Sequence, residues 1–315
     1  MFRNKIINGA MKIDQRNAGA TQTFTAGAAL AYSVDRFYGY CTGANVTGAR
    51  VAGSGSTQYR YQFTGAASVT AIGFGQRIEA ANCYDLAGQP AVFSVDLSNS
   101  LLTTVTWTAY YANTADTFGT LASPTRTQIA TGTFTVSSTL TRYSASMNIP
   151  AAATTGIEIV LTVGAQTSGT WVIGNVQLEQ GTAATPFEQR FFGLEQHMCQ
   201  RYTYVLRSAS GASDLVGWQD SATQSSYYFR FNQNLRAQPA MTHNATGFGA
   251  GATQIGSYNS NLGTQATASS FSLSAIQTDA QKTRLQIDGL SSGSAANLHI
   301  LLVGTSVAIV FSAEL

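Results

Sequence analysis

Charge is scarce in this chain. Only 10% of the 315 residues are Asp, Glu, Lys or Arg, against about 25% in an average soluble domain. Lysine occurs at positions 5, 12 and 282 alone, and the net charge is +2 with no basic block. That excludes a phosphate-neutralising patch for nucleic acid and a polybasic membrane segment. The three cysteines, Cys41, Cys83 and Cys199, are odd in number and lack the short paired spacings that zinc or dithiol chemistry requires. They read as free thiols made in a reducing compartment. No run approaches the roughly 18 apolar residues of a membrane span, and the start "MFRNKIINGAMKIDQRNAG" has no signal-peptide core. The expectation is a chain folded in a cytoplasm, without membrane insertion.

Apolar residues are plentiful, at 44%, so a real core can form, and the length suggests two domains of about 150 residues each. Ser, Thr, Asn, Gln, Gly and Ala must cover the surface, as in "TQIGSYNSNLGTQATASS". Strand signals dominate. "YRYQFTGAASVTAIGF", "VTWTAYYAN", "GIEIVLTVGA", "TWVIGNVQLE" and "YYFRFNQNL" are short, rich in β-branched and aromatic residues and bounded by turn formers. The predicted fold is all-β, two antiparallel β-sandwich (jelly-roll-like) domains joined by a short α-helix. A helical turn is expected from Ile78 to Leu86, ending at Gly88.

Residues 185–204, "TPFEQRFFGLEQHMCQRYTY", concentrate charge, aromatics and helix formers. Thr185, Pro186 and Glu188 fit a capping box, with Gly193 closing that turn. Beyond it, Leu194, Met198, Tyr202 and Val205 fall on one helical stripe, an apolar face that must pack against something. The predicted division is therefore 1–184 for a first β-sandwich domain, 185–206 for the turn and helix, and 207–315 for a distal β-sandwich. Asp35 and Arg36 interrupt an aromatic strand and read as a structural ion pair or a backbone-bonding aspartate.

Signs of catalysis are few. His197, His243 and His299 stand far apart, with no GxSxG, HExxH, CxxC or P-loop pattern. The sequence thus predicts no catalytic residues, metal site or cofactor. Aromatics carry more information. On strands, adjacent rings point to opposite faces, so among Trp107, Tyr110 and Tyr111, and between Tyr227 and Tyr228, some rings should be exposed. An exposed ring beside amides and carboxylates suits a sugar, whose apolar face covers the ring while its hydroxyls bond the polar groups. The candidates for glycan contact are Trp218, Asp220, Trp107, Tyr111 and Tyr227. Trp218 leads, in an expected loop with Asp214, Gln219 and Asp220.

"NKIINGAMKIDQRNAG" (4–19), "SVDRF" (33–37), "FGQRIEAANCYDLAGQ" (74–89), "NVQLEQGTAATPFEQR" (175–190) and "GLEQHMCQRY" (193–202) together resemble phage tail-fibre and receptor-binding proteins. The resemblance implies a jelly roll similar to carbohydrate-binding modules, a short linker helix and a distal sandwich, assembled as a homotrimer on a virion, which makes the stripe Leu194, Met198, Tyr202 and Val205 the candidate trimer interface. Phe191, Leu194 and Thr203 depart from the usual pattern. The family supplies no catalytic residues to transfer. Because the recognisable domain begins near the first residue, a short fibre or tip subunit is expected. Its attachment to other virion proteins, in the tail, baseplate or a capsid adaptor, is expected through Phe2, Arg3 and Lys5.

Three functions fit, in order: non-catalytic recognition of a host surface polysaccharide with three-fold avidity; a purely structural virion role; and a glycan-degrading tailspike-like enzyme, whose distant carboxylates would leave no local motif.

Overall fold

Runs of period-two Val, Ile, Thr, Tyr and Phe become strands throughout the computed structural model, which describes residues 2–27, 29–207, 215–221, 223–248, 251–252, 254–259, 264–265, 268–276, 278–290, 298–303 and 306–315. The chain divides into two units, Met1–Cys199 with Leu315, and Gln200–Glu314.

The first unit is built from β1 (Gln22–Phe24), β2 (Ala31–Tyr32), β3 (Phe37–Thr42), β4 (Val46–Ala52), β5 (Tyr59–Thr64), β6 (Ala71–Ile78), β7 (Pro90–Asn99), β8 (Thr104–Ala112), β9 (Arg126–Thr135), β10 (Thr141–Asn148), β11 (Ile157–Val163) and β12 (Thr170–Gln180). They form two six-stranded sheets, ordered β1-β4-β5-β12-β7-β10 and β2-β3-β6-β11-β8-β9. Every pairing is antiparallel. The inner faces enclose an aromatic core. Phe37 stacks on Phe74 at 4.9 Å, and Phe63 on Trp171 at 5.6 Å. Burying each such ring contributes about 1.5–3 kcal/mol. Gly39 lets the strands close over this core, because a Cβ there would sit 2.7 Å from the Phe24 ring. The turn after β6 is α1 (Ala80–Cys83) and a 3-10 turn (Tyr84–Leu86), followed by Gly88 at φ +73°.

The segment 185–191 departs from expectation. It contains no helix; α2 runs Phe192–Gln200, so Gly193 lies inside it rather than ending a turn. The capping box does not form because its polar groups have stronger partners in the first unit. Thr185 donates its N–H to Glu179 at 2.8 Å and its hydroxyl to the same carboxylate at 2.6 Å. Glu188 accepts the N–H groups of Arg3 (3.2 Å) and Asn4 (3.0 Å). Arg190, buried, donates to the carbonyls of Asn4 and Ile6 and to Glu195 (3.3 Å), and Glu195 in turn accepts the Asn8 N–H. The conspicuous residues at the start of the chain and at 177–195 thus bond to one another, satisfying buried donors and acceptors. They form a clasp across the first unit.

The helical stripe also changes. α2 ends before Tyr202, which is fully buried, and Val205 lies on a strand. Leu194 and Met198 remain on the helix, half-buried. Lys5, expected as an attachment residue, is buried and bonded to Asp85 at 2.5 Å. Phe2 is exposed under the Arg190 guanidinium, and Arg3 pairs with Glu179 at 3.3 Å. Asp35 accepts the Gln15 backbone N–H at 2.9 Å, the second of the two roles expected of it.

The second unit holds β13 (Thr203–Leu206), β14 (Val216–Ser221), β15 (Gln224–Arg230), β16 (Ala240–His243), β17 (Gly247–Phe248), β18 (Gln254–Asn259), β19 (Thr264–Gln265), β20 (Ala268–Ile276), β21 (Lys282–Leu290), β22 (Leu298–Val303) and β23 (Ile309–Ser312). A sheet β13-β23-β16 opposes a larger one ordered β17-β18-β22-β14-β15-β21-β20, with β19 against β18. Phe311 on the small sheet meets Phe229 on the large one edge-on at 5.4 Å, and Phe231 in the same manner at 5.3 Å. This is a second sandwich with its own core.

Candidate functional site

The hairpin β14–β15 and its neighbour β21 present one polar face to solvent. Alternation sends Gly217, Tyr227, Leu285 and Ile287 to the core and Trp218, Asp220, Tyr228 and Arg230 outward. Trp218 pairs with Ser226, and Tyr228, two residues further on the same face, pairs with Arg284. The two rings are 55% and 54% exposed and are diagonal neighbours, about 7–8 Å apart at the backbone. Polar groups fill the space beside them. Arg284 donates to Ser226 Oγ at 2.8 Å and to Asp220 Oδ2 at 2.7 Å, and Ser226 itself donates to Asp220. The Arg284 guanidinium stands 5.5 Å from the Tyr228 ring centroid. Further along, Gln224 and Gln286 both donate to Asp288 at 2.8 Å.

This lattice fixes side chains that would otherwise lose rotamer freedom on binding, so the face is pre-organised. Two exposed rings flanked by amides, a carboxylate and a guanidinium can cover an apolar sugar face and bond its hydroxyls. A depression of about 540 Å³, lined by Tyr228, Phe229, Arg230, Lys282, Thr283 and Arg284, opens at its edge.

Of the expected glycan residues, Trp218 and Asp220 meet here, on a strand rather than a loop. Asp214 lies outside the described residues. Tyr227 does not reach solvent: it is fully buried, its hydroxyl is bonded to Ser257, and burial pushes its ionisation up to about 12. Tyr228 is the exposed member, and the sequence carried the signal, because Arg230 shares its face by period two. Trp107 is likewise core, packed near Phe93 and Phe134. Val105, Trp107, Ala109 and Tyr111 alternate inward along β8, so Tyr111 packs, partly buried, against the same core.

A second polar hollow lies on the first unit. Glu158, fully buried on β11, accepts the Tyr38 hydroxyl at 2.6 Å and Arg77 Nε at 2.8 Å, and binds Arg126 with its other oxygen. Arg126 also covers the Tyr110 ring at 4.1 Å. The hollow, about 580 Å³, is lined by Tyr40, Thr42, Arg126 and residues 120–122 among others. Tyr40 lies flat across Gly73, where a Cβ would meet its ring at 2.1 Å. Glu158 is committed on both oxygens, so it positions Arg126 rather than acting as a free base. Among the described residues no group of three or more His, Cys, Asp or Glu could hold a metal ion. The three thiols are buried and separate, and burial pushes Cys83 up to about 12 and Cys199 well above its ordinary value.

No protein-family model matches the chain, and no curated protein matches it. Several solved structures are similar to part of it. The enzymatically active domain of tailspike protein 4 from bacteriophage CBA120 is 16% identical, over 56% of this chain and 21% of that one, with a TM-score of 0.34. TmCBM61 in complex with β-1,4-galactotriose is 11% identical, over 57% of this chain and 100% of that one, at 0.35. The family 11 carbohydrate-binding module of a Clostridium thermocellum cellulosomal cellulase is 13% identical, over 54% and 99%, at 0.32.

Proposed function

We propose that this chain is a non-catalytic glycan-binding protein of a phage virion, a tail-fibre or receptor-binding subunit that adsorbs to a host surface polysaccharide as a homotrimer. The observation that carries the binding role is the pair of exposed rings, Trp218 and Tyr228, on one polar sheet face. An exposed tryptophan and tyrosine side by side lose about 25 cal/mol per Å² of apolar surface left in water, so such a pair is costly without a ligand. The virion role is supported by the motifs at 4–19 and 175–202. Non-catalytic action is supported by the engagement of Asp220, which is spent on Arg284 and Ser226.

Whole-cell adsorption and glycan-array binding by the purified protein test this reading. Saturable binding to host cells, competed by their extracted polysaccharide, is expected, with no release of reducing ends. Reducing ends released at a steady rate would make the chain an enzyme. Absence of host binding, with antibody labelling confined to the particle, would leave only a structural virion role.

A further inference from the structure

The depression beside Tyr228 is edged by three cations. Arg230 and Lys282 are direct cross-strand partners, and Arg284 is the next outward residue along β21. Among the described residues Arg284 is the one of the three that holds an ion pair, to Asp220 at 2.7 Å. The other nearby carboxylate, Asp279, is exposed; it accepts the backbone N–H groups of Gln281 (2.7 Å) and Lys282 (2.9 Å), and the charges of Lys282 and Arg230 both act on it. Three cations against two carboxylates leave this rim positive, in a chain where lysine is rare. Like charges placed directly opposite on a ladder destabilise it. An anion seated between them removes that repulsion.

We infer that this depression receives the anionic group of an acidic glycan, a carboxylate or a phosphate, held between Arg230 and Lys282 while the sugar ring lies on Tyr228. The inference rests on the reading of this face as a sugar platform and specifies its ligand class. At about 540 Å³ the space lies within the 300–1,000 Å³ range of small-molecule sites. Arg230 supplies a planar fork suited to two oxygens and Lys282 a compact charge. Neighbouring Tyr228 orients the ring, and Arg284, tied to Asp220 and Ser226, bonds the sugar hydroxyls.

The test is an array of bacterial polysaccharides in three sets, neutral, uronate-bearing and phosphate-bearing, probed with the full chain and with Arg230→Gln/Lys282→Gln. Binding concentrated among the acidic sets is expected, and the double variant should weaken it by about 10- to 100-fold with its neutral binding unchanged. Methyl esterification of the uronates and phosphatase treatment of the phosphoglycans distinguish the two anion sources, since only the operative one abolishes binding. Neutral glycans bound as tightly as acidic ones, or acidic binding untouched by the double variant, would overturn the inference while leaving the sugar platform standing. Binding to no glycan in any set would overturn both.

Discussion

Arg230 and Lys282 stand directly opposite each other across the β15–β21 ladder, with exposed Asp279 the acid whose charge acts on both. The arrangement costs about 0.2–1 kcal/mol. Arg230→Gln is therefore expected to raise the thermal midpoint of the unliganded second unit slightly at low ionic strength. The gain should vanish near 1 M salt, where the screening length falls to about 3 Å. Scanning calorimetry at two salt concentrations measures both; an unchanged or lower midpoint at low salt would show that other charges already relieve the pair.

Trp218→Ala and Tyr228→Ala each remove an exposed ring. Each should reduce host-polysaccharide binding by about 10- to 100-fold and leave thermal stability nearly unchanged. Trp107→Ala should do the reverse, costing the first unit about 3–5 kcal/mol through a cavity with no direct effect on binding. Denaturant titration paired with cell adsorption separates the two outcomes.

Arg190 joins the chain start to the segment before α2 through Asn4, Ile6 and Glu195. Arg190→Met strips buried Glu195 of its counter-ion and two carbonyls of a donor, a loss of about 3–5 kcal/mol. Urea unfolding of the first unit should show it. A change below about 1 kcal/mol, the scale of an exposed pair, would mean the clasp is not structurally required.

Glu188 supplies a pH dependence. Burial alone would raise its pKa, but the N–H groups of Asn4 and Arg3 and the charges of Arg190 and Arg3 outweigh it, so the carboxyl is held below its ordinary 4.5. A group depressed in the folded state contributes stability above its unfolded value, and that contribution is lost as pH falls through the folded value. Wild type should exceed Glu188→Gln in stability at pH 7, and the gap should shrink below about pH 4.5. Equal pH slopes for the two proteins would contradict the assignment.

For assembly, the proposal predicts a native mass three times the 33.2 kDa of one chain. Phe191, just before α2, and Phe192, its first residue, are 88% and 58% exposed and stand beside Leu194 and Met198 as contact candidates in place of Tyr202 and Val205. Phe191→Ser with Phe192→Ser should lower that mass in native mass spectrometry. A trimer that survives the double change is held elsewhere.

Much of the fold was legible. The runs "VTWTAYYAN" and "GIEIVLTVGA" became β8 and β11, and the turn ending at Gly88 formed as its residues predict, because alternation and turn chemistry are local. The segment 185–191 was not legible in the same way. Thr185, Pro186 and Glu188 favour a helix start locally, but buried Glu179 and the backbone of Arg3 and Asn4 compete for the same groups. Nothing within the segment reveals partners some 180 residues away.

By itself, then, the sequence determined an all-β chain with two cores and a surface poor in charge, since period, composition and turn residues act over a few positions. Arg230, two residues on, already marked Tyr228 as the outward ring of its pair, but only the tertiary structure decided that Trp107 is core and Trp218 meets water, because the direction a strand faces depends on which sheet closes over it. The same closure brought Trp218, Asp220 and Arg284 together from strands more than sixty residues apart, a meeting that no local pattern specifies.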